Sequence, residues 1–379
     1  MKIGLLTSSR ADYGIYYSLL LKLKKDPSIS LTILAFGSHL KPGPKKSIEE
    51  IYKDNFGKIE TFITHNNGDS PSEINSEIIQ TQKIFNKYWK KNSSNFDFII
   101  CLGDRFEMFA AVYSTIQYNI RIVHIHGGEK SLGSLDNIYR HSISLASIIH
   151  FTSIQEHRDR VIKLLDDEGK KSVYSVGALS LEKLETLKIP SIEEFRNQWG
   201  IDLNKPTILI TYHPENINSN QILDNINSLI KVVLGNKDLQ FIFNYPNLDA
   251  KNSLIRSELD KSLGSQSNCM LVENLGYKYY FCALKHCLTL IGNSSSGIIE
   301  AASFEKYAIN IGLRQLGRVR NSNVIDLKYF NENTIQKSLD LIIQNPKWNG
   351  KNIYYQPQTS SKMVKILKKY LDEQAYHSI

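Results

Sequence analysis

Along the chain, short runs rich in Ile, Val, Leu and Phe alternate with longer amphipathic stretches. The short runs have the length of strands buried on both faces, and the stretches between them carry the 3.6-residue period of covering helices. The alternation predicts βα units that build parallel sheets. In the first half the strand-like runs fall at residues 3–8, 31–36, 59–64, 96–102, 122–126, 148–152 and 173–176, and the clearest helical patterns at 72–91 and 105–116. A second series begins at 207–212 and continues at 239–245, 270–272, 288–291 and 308–311. Between the two series, residues 181–206 contain Ile189-Pro190-Ser191 and end in Asn204-Lys205-Pro206, punctuation that places a domain boundary. The stretch 360–374 reads as an amphipathic helix with Met363, Ile366, Leu367 and Leu371 on one stripe. The expected fold class is α/β, with two Rossmann-like domains facing a central cleft. The first spans residues 1–185, with a C-terminal helix at 360–379 packing back on it, and the second spans 186–359. Open sheets of this kind bind ligands beyond the carboxyl ends of their strands.

Composition alters this picture little. Of 379 residues, 41% are hydrophobic and 22% charged, enough apolar material for two cores. No run approaches the eighteen apolar residues of a membrane span, and the opening Lys2-Ile3-Gly4-Leu5-Leu6 has no export-signal pattern, so a cytoplasmic protein without a membrane partner is expected. Cys101, Cys269, Cys282 and Cys287 show no CxxC spacing and read as small buried hydrophobes. The net charge of +8 comes from lysines dispersed among acidic residues. That pattern suits a solvated surface with a positive field around an anionic ligand, and no nucleic-acid partner is expected.

The strongest local signal is Leu290-Ile291-Gly292-Asn293-Ser294-Ser295-Ser296-Gly297-Ile298-Ile299-Glu300. An apolar strand runs into small hydroxyl residues and a glycine before a helical pattern starts, which is how a chain presents free N–H groups to a phosphate. Glu300, about one turn further on, suits ribose hydroxyls. Read alone, the segment is equally compatible with a Ser-rich helix cap. His213-Pro214-Glu215 and Tyr245-Pro246-Asn247 follow neighbouring strands at the same end, and Arg314 follows the strand at 308–311. Together they favour a diphosphate site.

In the first half, Thr7-Ser8-Ser9-Arg10-Ala11-Asp12-Tyr13-Gly14 ends the first strand without the GxGxxG spacing of a nicotinamide or flavin dinucleotide site and without a Walker A loop. Gly103-Asp104-Arg105 ends the fourth strand. His124-Ile125-His126-Gly127-Gly128-Glu129 ends the fifth, and Asp136 follows near Arg140-His141. Asp104, His126, Glu129 and Asp136 form a candidate set of general acids and bases. The His-x-His pair lacks a third ligand at metal-site spacing, so no metal is expected, and His124 reads as a buried, hydrogen-bonded strand histidine.

With Gly37-Ser38-His39 and Gly312-Leu313-Arg314-Gln315, these segments resemble, over nearly the whole chain, the hydrolysing UDP-N-acetylglucosamine 2-epimerases. Those bacterial enzymes supply N-acetylmannosamine for sialic acid. The resemblance implies a glycosyltransferase-B-type fold, no metal or redox cofactor, and a homodimer or homotetramer. It implies UDP contacts from His213, Asn247, Ser294, Ser295, Glu300 and Arg314 in the second domain. Arg10, Arg105 and His39 would act on the substrate from the first, with Asp104 and Asp136 as acid/base carboxylates. Many members have Glu where this chain has His126, so the proton transfer belongs to His126, Glu129 or Asp136. The implied reaction eliminates UDP to 2-acetamidoglucal and then hydrates it to N-acetylmannosamine. The alternatives are a hydrolysing 2-epimerase of UDP-2,4-diacetamido-2,4,6-trideoxyglucose for legionaminic acid, a non-hydrolysing 2-epimerase, and a glycosyltransferase of the same architecture.

Overall fold

The computed structural model describes all residues except 42–46, 65–67, 69, 132–134, 214, 216–218, 246–252 and 378–379. The chain divides into two compact units, Met1–Glu185 with Tyr354–Ile379, and Thr186–Ile353. Each is built on one parallel sheet, as the doubly buried apolar runs require.

The first unit contains β1 (Lys2–Thr7), β2 (Ser30–Phe36), β3 (Lys58–Phe62), β4 (Phe98–Leu102), β5 (Ile122–Ile125), β6 (Ile149–Thr152) and β7 (Val173–Ser175), in the order β3-β2-β1-β4-β5-β6-β7. β1 pairs with both β2 and β4, in register Ile3↔Leu31 and Ile3↔Phe98. The strand order therefore reverses between β1 and β4, and the loops leaving these two strands diverge to opposite faces. That divergence opens the crevice in which doubly wound sheets hold ligands.

The chain re-enters this unit at Tyr354, whose carbonyl accepts the Ala178 N–H at 2.8 Å. Five residues later the helix Thr359–His377 begins. Its start is tied by the Ser360 N–H and hydroxyl, each 2.9 Å from the Glu182 carboxylate. Its apolar stripe, Met363, Val364 and Leu367, joins the core formed by Leu19, Leu20 and Leu23 of the helix Arg10–Lys24.

The second unit contains β8 (Thr207–Thr211), β9 (Gln240–Asn244), β10 (Cys269–Val272), β11 (Thr289–Gly292), β12 (Tyr307–Ile311) and β13 (Val324–Leu327), ordered β10-β9-β8-β11-β12-β13. Its switch point lies between β8 and β11, in register Thr211↔Gly292. β13 is absent from the sequence reading: it is an edge strand of four residues with Asp326 exposed, so no continuous apolar run marks it. Among the described residues no helix is long and apolar enough to cross a membrane.

Candidate functional site

At the switch point of the first unit, Asp12 organises the turn after β1. Its carboxylate accepts from the Thr7 hydroxyl at 2.6 Å, the Ser8 N–H at 2.9 Å and the Ser9 N–H at 3.2 Å. Ser9 and Asp12 also close the capping box of the helix Arg10–Lys24. His39 is fully buried behind this turn, with Nε2 2.9 Å from the Thr7 hydroxyl and Nδ1 2.8 Å from the Ser47 hydroxyl. Both ring nitrogens thus have partners inside the protein, and His39 braces the turn. Arg10 is exposed, 3.8 Å from Glu50. The Arg105 guanidinium is half exposed and lies 2.9 Å from Glu107.

The acid/base candidates assemble around Arg140, which is 1% exposed. Its guanidinium donates to the Asp104 carboxylate, to the Glu129 carbonyl at 2.8 Å and to the Asn137 amide oxygen at 2.7 Å. Arg140 lies four residues after Asp136 on the helix Asp136–Leu145, so helical spacing puts both on one face. Asp104 keeps 27% of its side chain exposed. Burial pushes its carboxyl above the ordinary range. Arg140 opposes that shift, while the negative charges of Asp136 and Glu129 add to it. The result is a carboxyl group that holds a proton more readily than an ordinary aspartate.

His126 follows β5 in a left-handed conformation, φ +66, which costs a non-glycine residue about 1–2 kcal/mol. Its N–H donates to the Phe151 carbonyl at 2.8 Å, and its Nδ1 lies 3.1 Å from Glu129 Oε1. The turn then needs Gly128, at φ +78, because a Cβ there would sit 2.2 Å from the His157 carbonyl oxygen. His124 is buried with Nε2 2.9 Å from the Gly103 carbonyl and Nδ1 3.0 Å from the Ser144 hydroxyl. A carbonyl only accepts, so Nε2 carries the proton. Burial pushes this imidazole down to about 3, and it stays neutral while fixing the loop that presents Asp104.

In the second unit, Gly292 adopts φ +149, and a Cβ there would lie 1.9 Å from the Thr211 carbonyl oxygen. Only glycine lets β11 pass this close to β8 as the loop begins. Asn293 is fully buried and pairs in both directions with the backbone of His213: its amide oxygen accepts the His213 N–H at 2.8 Å and its NH2 donates to the His213 carbonyl at 2.7 Å. The Asn293 carbonyl in turn accepts from Arg314 Nη1 at 3.0 Å and Gln315 Nε2 at 2.8 Å. Glu215 caps the next loop, accepting from the N–H groups of Leu313 at 2.8 Å and Arg314 at 2.9 Å. These bonds gather His213, Ser294, Ser295 and Arg314 at one sheet end.

Among the described residues, the N–H groups of Ser294 and Ser295 and the Ser295 hydroxyl have no hydrogen-bond partner. The helix that follows is a single turn, Ser296–Ile299, running into a 3-10 turn at Ala301–Phe304, and Glu300 joins the two. Burial and the nearby Arg314 charge push His213 down to about 4, so its ring is neutral and able to hydrogen-bond. Beside it, a concavity of about 270 Å³ is lined by Thr211, His213, Tyr245, Leu275, Tyr277 and Tyr280 at the ends of β8, β9 and β10. Its aromatic walls suit a flat base, and the adjoining N–H groups suit a phosphate. Asn247 lies outside the described residues.

Arg140, Asn293 and Glu215 carry much of this arrangement although the sequence reading did not single them out as site residues. The signal for Arg140 was its spacing of four from Asp136. Nothing local marks Asn293, whose amide is matched to the backbone of a residue 80 positions away.

Residues 21–368 match the family model described as UDP-N-acetylglucosamine 2-epimerase. The polysialic acid biosynthesis protein P7 of Escherichia coli is 32% identical over 376 residues, covering 98% of this chain and 94% of that protein. A protein of Legionella pneumophila named UDP-N,N'-diacetylbacillosamine 2-epimerase (hydrolyzing) is also 32% identical, covering 97% of this chain and 95% of its own. Among solved structures, the UDP-GlcNAc 2-epimerase of Neisseria meningitidis bound to UDP-GlcNAc superposes with a TM-score of 0.82 at 18% identity, covering 97% of this chain and 100% of that one. The shared architecture is the two-domain α/β fold of glycosyltransferase-B type. By its extended match to the family and to full-length relatives, the chain belongs to the UDP-N-acetylglucosamine 2-epimerase family.

Proposed function

We propose that this protein is a hydrolysing 2-epimerase that converts UDP-N-acetylglucosamine and water to N-acetylmannosamine and UDP, serving sialic acid biosynthesis. The observation that carries the reading is the cluster of Asp104, Glu129 and His126 around the buried Arg140, with Asp136 on the same helix face. A protein that only held a nucleotide sugar would have no use for so many proton-exchanging groups in one place. The nucleotide half belongs to the second unit, where the 292–297 loop, His213 and Arg314 suit the diphosphate and the aromatic concavity suits uracil. Arg10 and Arg105 supply cations from the first unit.

The reaction runs in two stages. A base removes the C2 proton as UDP leaves C1, giving 2-acetamidoglucal. Water then adds at C1 while C2 is protonated on the opposite face. The C2 proton is weakly acidic, so departure of UDP must drive the first stage, and N–H groups and cations on the diphosphate supply that drive. Support for the hydrolysing outcome comes from the Legionella relative, whose name carries that chemistry.

Incubation with UDP-N-acetylglucosamine in deuterated water, followed by proton NMR, tests the proposal. UDP and C2-deuterated N-acetylmannosamine are the expected products. A UDP-sugar product, or turnover only of UDP-2,4-diacetamido-2,4,6-trideoxyglucose, overturns it. Asp104→Asn is expected to abolish turnover while UDP still binds.

A further inference from the structure

His126 has one ring nitrogen satisfied and one bare. Nδ1 faces Glu129 Oε1 at 3.1 Å, while Nε2 is buried and has no hydrogen-bond partner among the described residues. Leaving such an atom unmatched is costly unless something else arrives to meet it. Its neighbour His124, two residues earlier on β5, is fully buried with both nitrogens matched. The backbone adds a second sign of purpose, since His126 is held at φ +66 by its N–H bond to Phe151 and by the Gly127-Gly128 turn that follows.

We propose that His126 is the base that removes the sugar C2 proton and that Glu129 positions it, holding the proton on Nδ1 so that the Nε2 lone pair is presented to the substrate. The proposal rests on the 2-epimerase reading and assigns the step that reading leaves among several groups. An ionised carboxylate only accepts hydrogen bonds, so pairing with Glu129 selects the Nδ1–H tautomer. In the elimination the C2–H bond breaks and its electrons form the C1–C2 double bond. The C1–O bond to the diphosphate breaks, and the proton moves to Nε2. The imidazolium so formed faces the Glu129 carboxylate.

In hydration, Asp104 gives its proton to C2, water supplies hydroxide to C1, and the remaining water proton reloads Asp104. His126 then loses its proton to solvent, which matches the single proton the overall hydrolysis releases. The charged and titratable groups on the elements around the 124–129 segment are His124 on β5, Glu129 on the loop after it, and Asp104 at the end of β4. Asp136 and Arg140 come from the helix Asp136–Leu145, His150 from β6 and Arg160 from the helix Gln155–Leu164. Arg140 donates to Asp104 and to the Glu129 carbonyl, while Glu129 Oε1 faces the imidazole.

His126→Gly is the incisive variant, because glycine accepts the positive φ and leaves a hole of imidazole shape. It is expected to lower kcat by about 100-fold or more while UDP binding persists. Added imidazole should restore at least about tenfold, tracking its free-base form, and supplied 2-acetamidoglucal should still be hydrated in the presence of UDP. Activity within threefold of the parent, loss without rescue, or equal loss of hydration overturns the assignment. Glu129→Gln should lower kcat with little change in KM. ¹⁵N NMR of histidine-labelled protein should show the Nδ1–H tautomer at His126 in the parent and its loss in that variant. A parent tautomer with the proton on Nε2 overturns the proposal. The tautomer is read without turnover, so a parent chain that processes no UDP-sugar refutes the function and leaves this measurement standing.

Discussion

Replacing Arg140 by Met removes the cation around which the first unit's acid/base groups are arranged, keeps most of the side-chain volume, and takes one donor from each of three acceptors. One is the Asp104 carboxylate; the others are the neutral Glu129 carbonyl and the Asn137 amide oxygen. Breaking a buried ion pair from one side costs about 3–5 kcal/mol because the remaining charge is left uncompensated. Asp104 retains 27% exposure and recruits water more readily than a sealed group, so the lower end, about 3 kcal/mol at pH 8, is expected. The loss depends on pH with a definite sign. Asp104 already has its folded-state pKa raised by burial, with Arg140 opposing, and losing Arg140 raises it further. A carboxyl whose folded pKa lies above its unfolded value contributes stability that is present below the unfolded pKa and lost as pH rises through the folded one. The deficit of Arg140→Met should therefore shrink when the pH is lowered from 8 to 5. Urea unfolding at both values checks this, since of the three tryptophans Trp89 belongs to the first unit while Trp199 and Trp348 belong to the second. A deficit under about 1 kcal/mol at pH 8, or one that is the same at both pH values, refutes the claim that Arg140 compensates a buried charge.

Three further outcomes follow from local geometry. Gly292→Ala places a Cβ 1.9 Å from the Thr211 carbonyl oxygen at φ +149, so it should destabilise the second unit by about 3 kcal/mol or more; calorimetric titration should show UDP affinity reduced at least tenfold, and unchanged affinity would separate this loop from the nucleotide. His124, whose folded pKa is depressed to about 3 by burial, contributes stability present above the unfolded histidine range and lost as pH falls toward 3; His124→Gln should flatten that part of the acid-unfolding curve of the first unit, and an unaltered curve would refute it. Leu367→Ala, at a fully buried position on the returning helix, should cost about 2–5 kcal/mol in the first unit, measured by urea unfolding followed at Trp89, and a loss below about 1 kcal/mol would show the helix to be peripheral to that core.

The parts of the fold that were legible are those where one physical cause dominates. Strands buried on both faces must be apolar throughout, so β1, β4, β8 and β11 stand out as Ile- and Leu-rich runs. β13 did not, because a four-residue edge strand with the partly exposed, charged Asp326 in it has no such demand. At the site, a polar residue just past a strand is a sound indication that it belongs to a loop cluster. It does not say whether the side chain faces a ligand or ties the loop together. His39 and His126 show the difference. Both follow strands of the same sheet, and both were read as site residues. His39 has each ring nitrogen met from within, by Thr7 and Ser47, and its chemistry is spent on holding Ser8, Ser9 and Asp12 in place. His126 has one nitrogen met by Glu129 and one that is buried and unmet among the described residues. Asn293 and Arg140 fall on His39's side of the division, fully engaged with the chain, yet without them His213 and Asp104 would not be presented as they are. Spacing along the chain finds polar residues at strand ends; counting donors against acceptors in three dimensions separates His39, spent on holding its turn, from His126, and it is the strand-end position beside Glu129 that sets His126 apart from the buried His150 and His157, which also have unmatched ring nitrogens.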